Sequence, residues 1–381
     1  MLNEYLVGSI GQLHERARTL LGDISRELAR KKHLIPEFHQ LAQTCRNQVN
    51  DLVSDLQNLL TDPRFKRPNL QSIRLRAYKR IVAELDFIEC VGVAALIRVI
   101  DEDRWMTRVV GEIKDEIGYP LIPPVVSCQS QAYFEAFPGL NLLAVPQKEV
   151  HFLLHLPDLY HELAHFILTE KNNPAVEAYA QALAKSVMAA RGHVAALLSK
   201  QGRGPRGTQA KLLAWDSNWV AAWGIELYCD LFGAFAVGPA YGWAHLHLCA
   251  KRGGHPFLVE NTPNSTHPAD QARMVVILEA LARLGYPKEA AKIEDKWKEL
   301  LAYAGYKSDA DYTICFPSTV LQTFADDAFA GYRGLNCKPS APATGSTIHN
   351  LLNEAWERFW SAPDKFAAWE KGKVASVLAK P

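Results

Sequence analysis

The chain has 381 residues, 48% of them hydrophobic and 22% charged, with 42 basic and 41 acidic side chains. That length suits one large domain or two or three ordinary ones, and the apolar share excludes wholesale disorder. A net charge of +1 argues against a protein built around a long nucleic-acid track, though not against a local basic patch.

Residues 2–60 predict a helical hairpin. Leu6, Ile10, Leu13, Ala17, Leu20, Ile24 and Leu28 recur in steps of three and four, as do Phe38, Leu41, Cys45, Val49, Leu52, Leu56 and Leu59. Such stripes give each helix one apolar seam. Lys31-Lys32-His33 and Pro36 mark the break between the two helices. The seams are expected to pack on each other and on the body; the other use for them is docking a protein partner or a second copy of the chain. Residues 64–80 carry Arg64, Lys66, Arg67, Arg74, Arg76, Lys79 and Arg80 and no acid. They read as a solvated helix face, and nucleic acid is not an expected partner. More helix follows to Gly118, with Asp101-Glu102-Asp103 suited to a helix N-terminus.

The texture then changes. Pro120 to Val126, Ala132 to Phe137 and Leu142 to Val145 are short apolar or aromatic runs set apart by Pro, Gly and Ser, and they predict strands. Helical patterning returns afterwards and continues to the end, interrupted by loops at 200–207 and 339–346. The expected fold is mainly α with a small β-sheet (α+β). Its parts are a helical region 1–118, a core 119–285 and a C-terminal helical region 286–381. Leu231 to Ala250 lacks Asp, Glu, Lys and Arg over a length near the membrane-spanning threshold. Gly238-Pro239, Gly242, His245 and His247 make it a buried core helix with a turn, so no membrane span is expected.

The chemistry-bearing residues begin with His161-Glu162-Leu163-Ala164-His165. Positions four apart share a helix face, so His161 and His165 can direct two imidazoles at one metal ion. Glu162 lies beside that face, where a carboxylate can take a proton from a metal-activated water. Apolar neighbours, Leu156, Leu159, Phe166 and Ile167 among them, argue for a buried helix. Further on, Glu226 and Asp230 are again four apart in an apolar run. Glu226 can supply a third ligand, and Asp230 can accept a hydrogen bond from the far ring nitrogen of a ligand histidine. Thr266-His267-Pro268 then leads to Arg273. Pro268 suits the first turn of a helix over 269–284, placing His267 and Arg273 where they can stabilise an oxyanion. The alternative for Arg273 is a structural ion pair with Asp230 or Glu279.

In this order, H-E-x-x-H, E-x-x-x-D and T-H-P-x-x-x-x-R resemble the gluzincin clan of zinc metallopeptidases, and most of all its HtpX and CAAX-prenyl-protease group. The resemblance covers roughly Tyr160 to Arg273. It implies a zincin-like core with one zinc ion held by His161, His165 and Glu226. It makes Glu162 the general base, Asp230 a support behind the ligands, and His267 and Arg273 catalytic donors to oxyanion or substrate. It also implies an edge strand beside the active-site helix that pairs with an extended protein or peptide substrate. Asn141, Leu142, Leu143, Ala144 and Val145 are the first candidate and Ala132 to Phe137 the second. That group has transmembrane helices around its core and this sequence has no convincing one, so the expectation is a soluble relative with helical additions.

The remaining features are structural expectations. His151 and His155 read as lining or structural residues, Tyr241 as a buried tyrosine with an ordinary hydrogen bond rather than an extra oxyanion donor, and Trp215, Trp219 and Trp223 as a packed helix face. Seven scattered cysteines without a C-x-x-C pair indicate a reducing compartment. The N-terminus shows no secretory pattern, so a cytoplasmic location is expected. The expected activity is peptide-bond hydrolysis through a zinc-bound water activated by Glu162. The alternative is a regulatory or partner-binding protein with a latent or structural zinc site.

Overall fold

A computed structural model describes residues 2–30, 35–130, 133–201, 206–341 and 347–378. The Lys31-Lys32-His33 break, Ala132, and parts of the 200–207 and 339–346 loops lie outside the described residues. The fold is mainly α with one small sheet of three short strands, as the sequence predicts. The chain partitions into two compact units rather than three consecutive regions.

The first unit comprises 1–108, 123–133 and 137–145. It opens with the predicted hairpin, α1 (Leu2–Arg30) and α2 (Pro36–Thr61), continues through α3 (Gln71–Phe87) and α4 (Ala94–Arg98), and takes in the start of α5 (Asp101–Ile117). The hairpin seams are consumed within this unit. Ile10, Ala17 and Ile24 of α1 and Phe38, Cys45, Val49 and Leu56 of α2 are buried in one cluster with Ile81, Leu85, Val125 and Leu142. The basic stretch is partly engaged here too. Arg74 is buried and donates twice to the Leu59 carbonyl, at 2.9 and 2.6 Å, satisfying an orphan acceptor at the end of α2. Arg64 pairs with Asp62, and Arg80 approaches Asp55 at 3.4 Å.

Two strands of the sheet also belong to this unit. β1 (Val125–Ser127) pairs in parallel with the later Leu142–Ala144, Val125 opposite Leu142 and Ser127 opposite Ala144. Between them comes β2 (Glu135–Phe137), where the chain passes between units, so Leu142–Ala144 is β3. The predicted strand at 120–126 shrinks to its last residues, because Pro120, Pro123 and Pro124 have no N–H to donate to a ladder.

The second unit comprises 109–122, 134–136 and everything from 146 onward. Its helices are α6 (Asp158–Thr169), α7 (Pro174–Gln201), α8 (Arg206–Asn218), α9 (Gly224–Val237), α10 (Pro239–Arg252), α11 (Asp270–Arg283) and α12 (Pro287–Tyr303). They are followed by α13 (Ala310–Cys315), α14 (Ser318–Gly334), α15 (Ile348–Ser361) and α16 (Pro363–Leu378). The segment 286–381 is therefore part of the same body as the histidines, because α14 packs on α7, α9 and α11. Aromatic side chains fill the centre: Trp219 meets Phe324 at 5.3 Å between ring centroids, and Phe232 meets Tyr332 at 5.4 Å.

The apolar stretch 231–250 is two buried helices with a turn. Gly238 breaks it at φ 76°, a conformation that suits glycine, and Pro239 starts α10. A Cβ on Gly238 would also lie 2.5 Å from the Ser340 hydroxyl. By length and composition one continuous helical run, Gly207–Val237, is long and apolar enough to cross a membrane, but 78% of its apolar window is buried inside the protein.

Candidate metal centre

Two helices bring the site together. α6 forms because Leu159, Leu163, Phe166 and Ile167 bury one broad apolar face, with Asp158 favourable at its positive end. It stops where Glu170 turns extended, before Pro174 opens α7. α9 is buried along nearly its whole length and packs on α6. A π-helical turn, Trp219–Trp223, immediately precedes it. Such turns insert an extra residue and rotate the facing of the next helical segment. Trp215, Trp219 and Trp223 are all buried, the packed face expected of them.

His161 and His165 of α6 lie edge to face, their ring centroids 5.1 Å apart. Glu226 of α9 reaches both: Oε2 is 3.3 Å from His161 Nε2 and Oε1 is 3.7 Å from His165 Nε2. His267 reaches the same carboxylate, with Nε2 3.5 Å from Glu226 Oε2. Its other nitrogen is 2.8 Å from the Thr266 hydroxyl, and the ring is half exposed.

Behind His161 stands Asp230. His161 Nδ1–H donates to Asp230 Oδ1 at 3.0 Å, which turns Nε2 toward Glu226. The Tyr241 hydroxyl donates to the same oxygen at 2.6 Å and sits 3.0 Å from His161 Nδ1. Gly233 makes room for that tyrosine: a Cβ there would lie 2.9 Å from two carbons of its ring. Arg273 is placed otherwise than as an oxyanion donor. Its Nε and Nη2 both donate to Asp230, each at 2.7 Å, and its side chain is buried. A fully buried carboxylate needs its charge compensated, and the paired guanidinium does that.

The electrostatics sort these groups by role. Burial pushes Glu162 up to about 7; nearby His161 opposes this, while Glu226 and Asp158 add to it. Burial also lowers His165, to about 4, aided by the neighbouring His161 charge. Burial opposes ionisation of Glu226, but the close approach and charge of His161 outweigh it and hold the carboxyl down to about 2. For His161, burial is outweighed by its hydrogen bond to Asp230 and its contact with Glu226, which lift it to about 10. Flanked by two carboxylates, that imidazole calls for a positive charge at Nε2, supplied by a proton or by a metal ion.

The residues fit a metal ion on a direct observation. Glu226 Oε2 is buried and makes no hydrogen bond of good geometry, although His161 Nε2 stands 3.3 Å and His267 Nε2 3.5 Å from it, a costly state for a carboxylate oxygen that an ion among these nitrogens would relieve. His161, His165 and Cys229 also offer ligand atoms that lie within 4.8 Å of one another. Cys229, three residues after Glu226, is a donor that sequence reasoning missed, although the E-x-x-C spacing was visible. Burial, with Glu226, Glu162 and Asp230 around it, holds its thiol far above the usual range and so protonated. The ionised Glu226, in reach of both imidazoles, is the better third ligand.

The first candidate for the substrate-pairing edge strand is the middle strand of the sheet, whose order is β1-β3-β2, so both its edges are already paired. Asn141 takes a left-handed conformation, φ 50°, and Leu142, Leu143, Ala144 and Val145 are buried in the first unit, with β3 paired to β1. The second candidate does better. The backbone N–H of Ala136, in β2 and in the same unit as α6, donates to the Glu162 carboxylate. Of the two lesser histidines, His155 bonds Glu149 and stacks on His247 at 5.2 Å, a contact apart from the Glu226 cluster. No family model matches the chain, and neither a curated protein nor a solved structure does.

Proposed function

We propose that the protein is a zinc-dependent peptidase that hydrolyses peptide bonds at the His161–His165–Glu226 cluster. The buried Oε2 of Glu226, facing imidazole nitrogens without a well-formed hydrogen bond, carries this reading. His161 Nε2, His165 Nε2 and Glu226 would hold the ion. Two nitrogens and one oxygen suit zinc and leave a fourth position open. When bound, zinc polarises a carbonyl and makes water acidic enough to attack it near neutral pH.

The chain's own residues do the rest. Glu162, poised near neutrality by its burial, takes the proton from the attacking water and passes it to the leaving amine. Its carboxylate is oriented by the Ala136 amide. His267, half exposed at the edge of the cluster, is positioned to donate to the oxyanion. Asp230 fixes the ring of His161, and Tyr241 and Arg273 fix Asp230. β2 is the strand assigned to an extended peptide substrate.

Glu162→Gln tests the mechanism. The variant is expected to retain one zinc per chain at this cluster and to lose hydrolysis of a peptide library by at least two orders of magnitude, the scale of general base catalysis. Activity equal to wild type would remove Glu162 from the reaction. Zinc retained by a wild-type chain that cleaves no peptide would leave the cluster as a structural site.

A further inference from the structure

A second group of donors lies where α10 meets α11. His245 and Cys249 are four residues apart on one face of α10, and Asp270 opens α11. One ligand atom from each lies within 4.8 Å of the other two. Cys249 Sγ is 3.7 Å from His245 Nε2. Sulfur and nitrogen bound tetrahedrally to one zinc ion, at about 2.3 and about 2.0 Å, stand about 3.5 Å apart. The observed spacing is about 0.2 Å longer than that value.

The group is enclosed as well as close. His245 is buried, and Cys249 and Asp270 are partly buried. Burial, with the nearby Arg273 charge, lowers His245, so its ring is neutral at pH 7 and able to ligate. Arg273 is the cation that most opposes a metal here, but its guanidinium is bound edge-on to Asp230.

We propose that His245, Cys249 and Asp270 bind a divalent metal ion of their own, zinc by their donor set, with water in the fourth position. Sulfur, imidazole and carboxylate together select zinc over calcium or magnesium. Burial, with Asp270 beside it, raises the Cys249 thiol well above its usual range, so it is protonated before binding and its S–H proton leaves to solvent as the sulfur–metal bond forms. The imidazole proton, which Nε2 now offers to the Asp270 backbone carbonyl at 3.3 Å, moves to Nδ1. The ion would clip α10 to α11. Tyr241 lies four residues before His245 and Arg273 three after Asp270, so the clip would tie together the two elements that hold Asp230. The inference does not depend on the chain being a peptidase.

Metal counting on the full chain tests it. After chelator treatment and reloading with Zn2+, Cys249→Ser and Asp270→Asn are each expected to bind one equivalent less than wild type. A His161→Gln/His165→Gln chain should keep the equivalent that Cys249→Ser loses. Loaded with Co2+, the wild type should show a thiolate-to-cobalt absorption that Cys249→Ser lacks and Cys229→Ser retains. Equal melting of the metal-free wild type and Cys249→Ser shows that the fold is intact in that comparison. Metal content and cobalt absorption unchanged in Cys249→Ser, or an absorption lost in Cys229→Ser instead, would overturn the proposal.

Discussion

Asp230 accepts four hydrogen bonds from three side chains: one from His161, one from Tyr241 and two from Arg273. Fully buried, it tolerates its charge only because those donors surround it. Arg273→Met should therefore destabilise the chain by about 3–5 kcal/mol, read from urea unfolding, by leaving that carboxylate uncompensated. Arg273→Lys should cost less, since it restores charge without the two-pronged geometry. If Arg273→Met impaired turnover with no loss of stability, the ion-pair role would be wrong. Tyr241→Phe removes one donor and should weaken zinc affinity by roughly tenfold or more, measured by competition with a chelator. Much at this scale is legible in the sequence. Two pairs of residues four apart are a statement about helix faces, and they place His161, His165, Glu226 and Asp230 correctly relative to their own helices. The partner of Arg273 is not legible, because nothing in spacing says which of two acids a buried guanidinium meets. Tyr241 is the buried, hydrogen-bonded tyrosine expected, but its acceptor, Asp230 across the Gly238–Pro239 break, is not legible.

Between elements, close approach is set by small residues. A Cβ on Gly331 of α14 would lie 2.8 Å from Ala182 Cβ and 3.2 Å from the Ala178 carbonyl on α7. Backbone cannot give way as a flexible side chain can. Gly331→Leu should cost about 1–3 kcal/mol through overpacking, and a melting curve unchanged from wild type would show that α7 and α14 can separate freely. The hairpin seams are read well from periodicity and the helix over 269–284 from Pro268 at its entrance; α11 covers Asp270–Arg283. The π-helical turns at Ile88–Val93 and Trp219–Trp223 are not, because one inserted residue is lost in a pattern of threes and fours. The sheet is only half legible. Its apolar runs stand out, but three prolines shorten the first strand, and sequence order did not reveal which strand stands near Glu162.

Across the whole molecule, stability should depend on pH through a partly buried histidine away from the candidate metal centre. His247 lies against Trp356 and Phe359 and stacks on His155, with Lys251 and Glu149 beside that pair. Burial, then His155 and Lys251, lower it to about 4, with Glu149 opposing. A histidine depressed in the folded state is protonated first in the unfolded chain. Its contribution is therefore complete above about 6.5 and is lost as pH falls toward 4. The melting temperature should drop over that window, and His247→Phe should flatten part of the drop. An identical pH profile in the variant would assign the loss to other groups.

The division into units bears on how the chain is made. The polypeptide passes from one unit to the other at 108/109, 122/123, 133/134, 136/137 and 145/146. Every residue of the first unit has been synthesised by Val145, before His161 exists. That unit can close while translation continues. The second unit then has to draw in two short pieces already made. One of them holds Tyr119, whose hydroxyl donates to the Leu163 carbonyl of α6 at 2.9 Å, and the other supplies the Ala136 amide to Glu162. A fragment starting at 146 would therefore carry every proposed zinc ligand and still lack two of the contacts that hold α6, so the placing of that helix rests on residues made well before it.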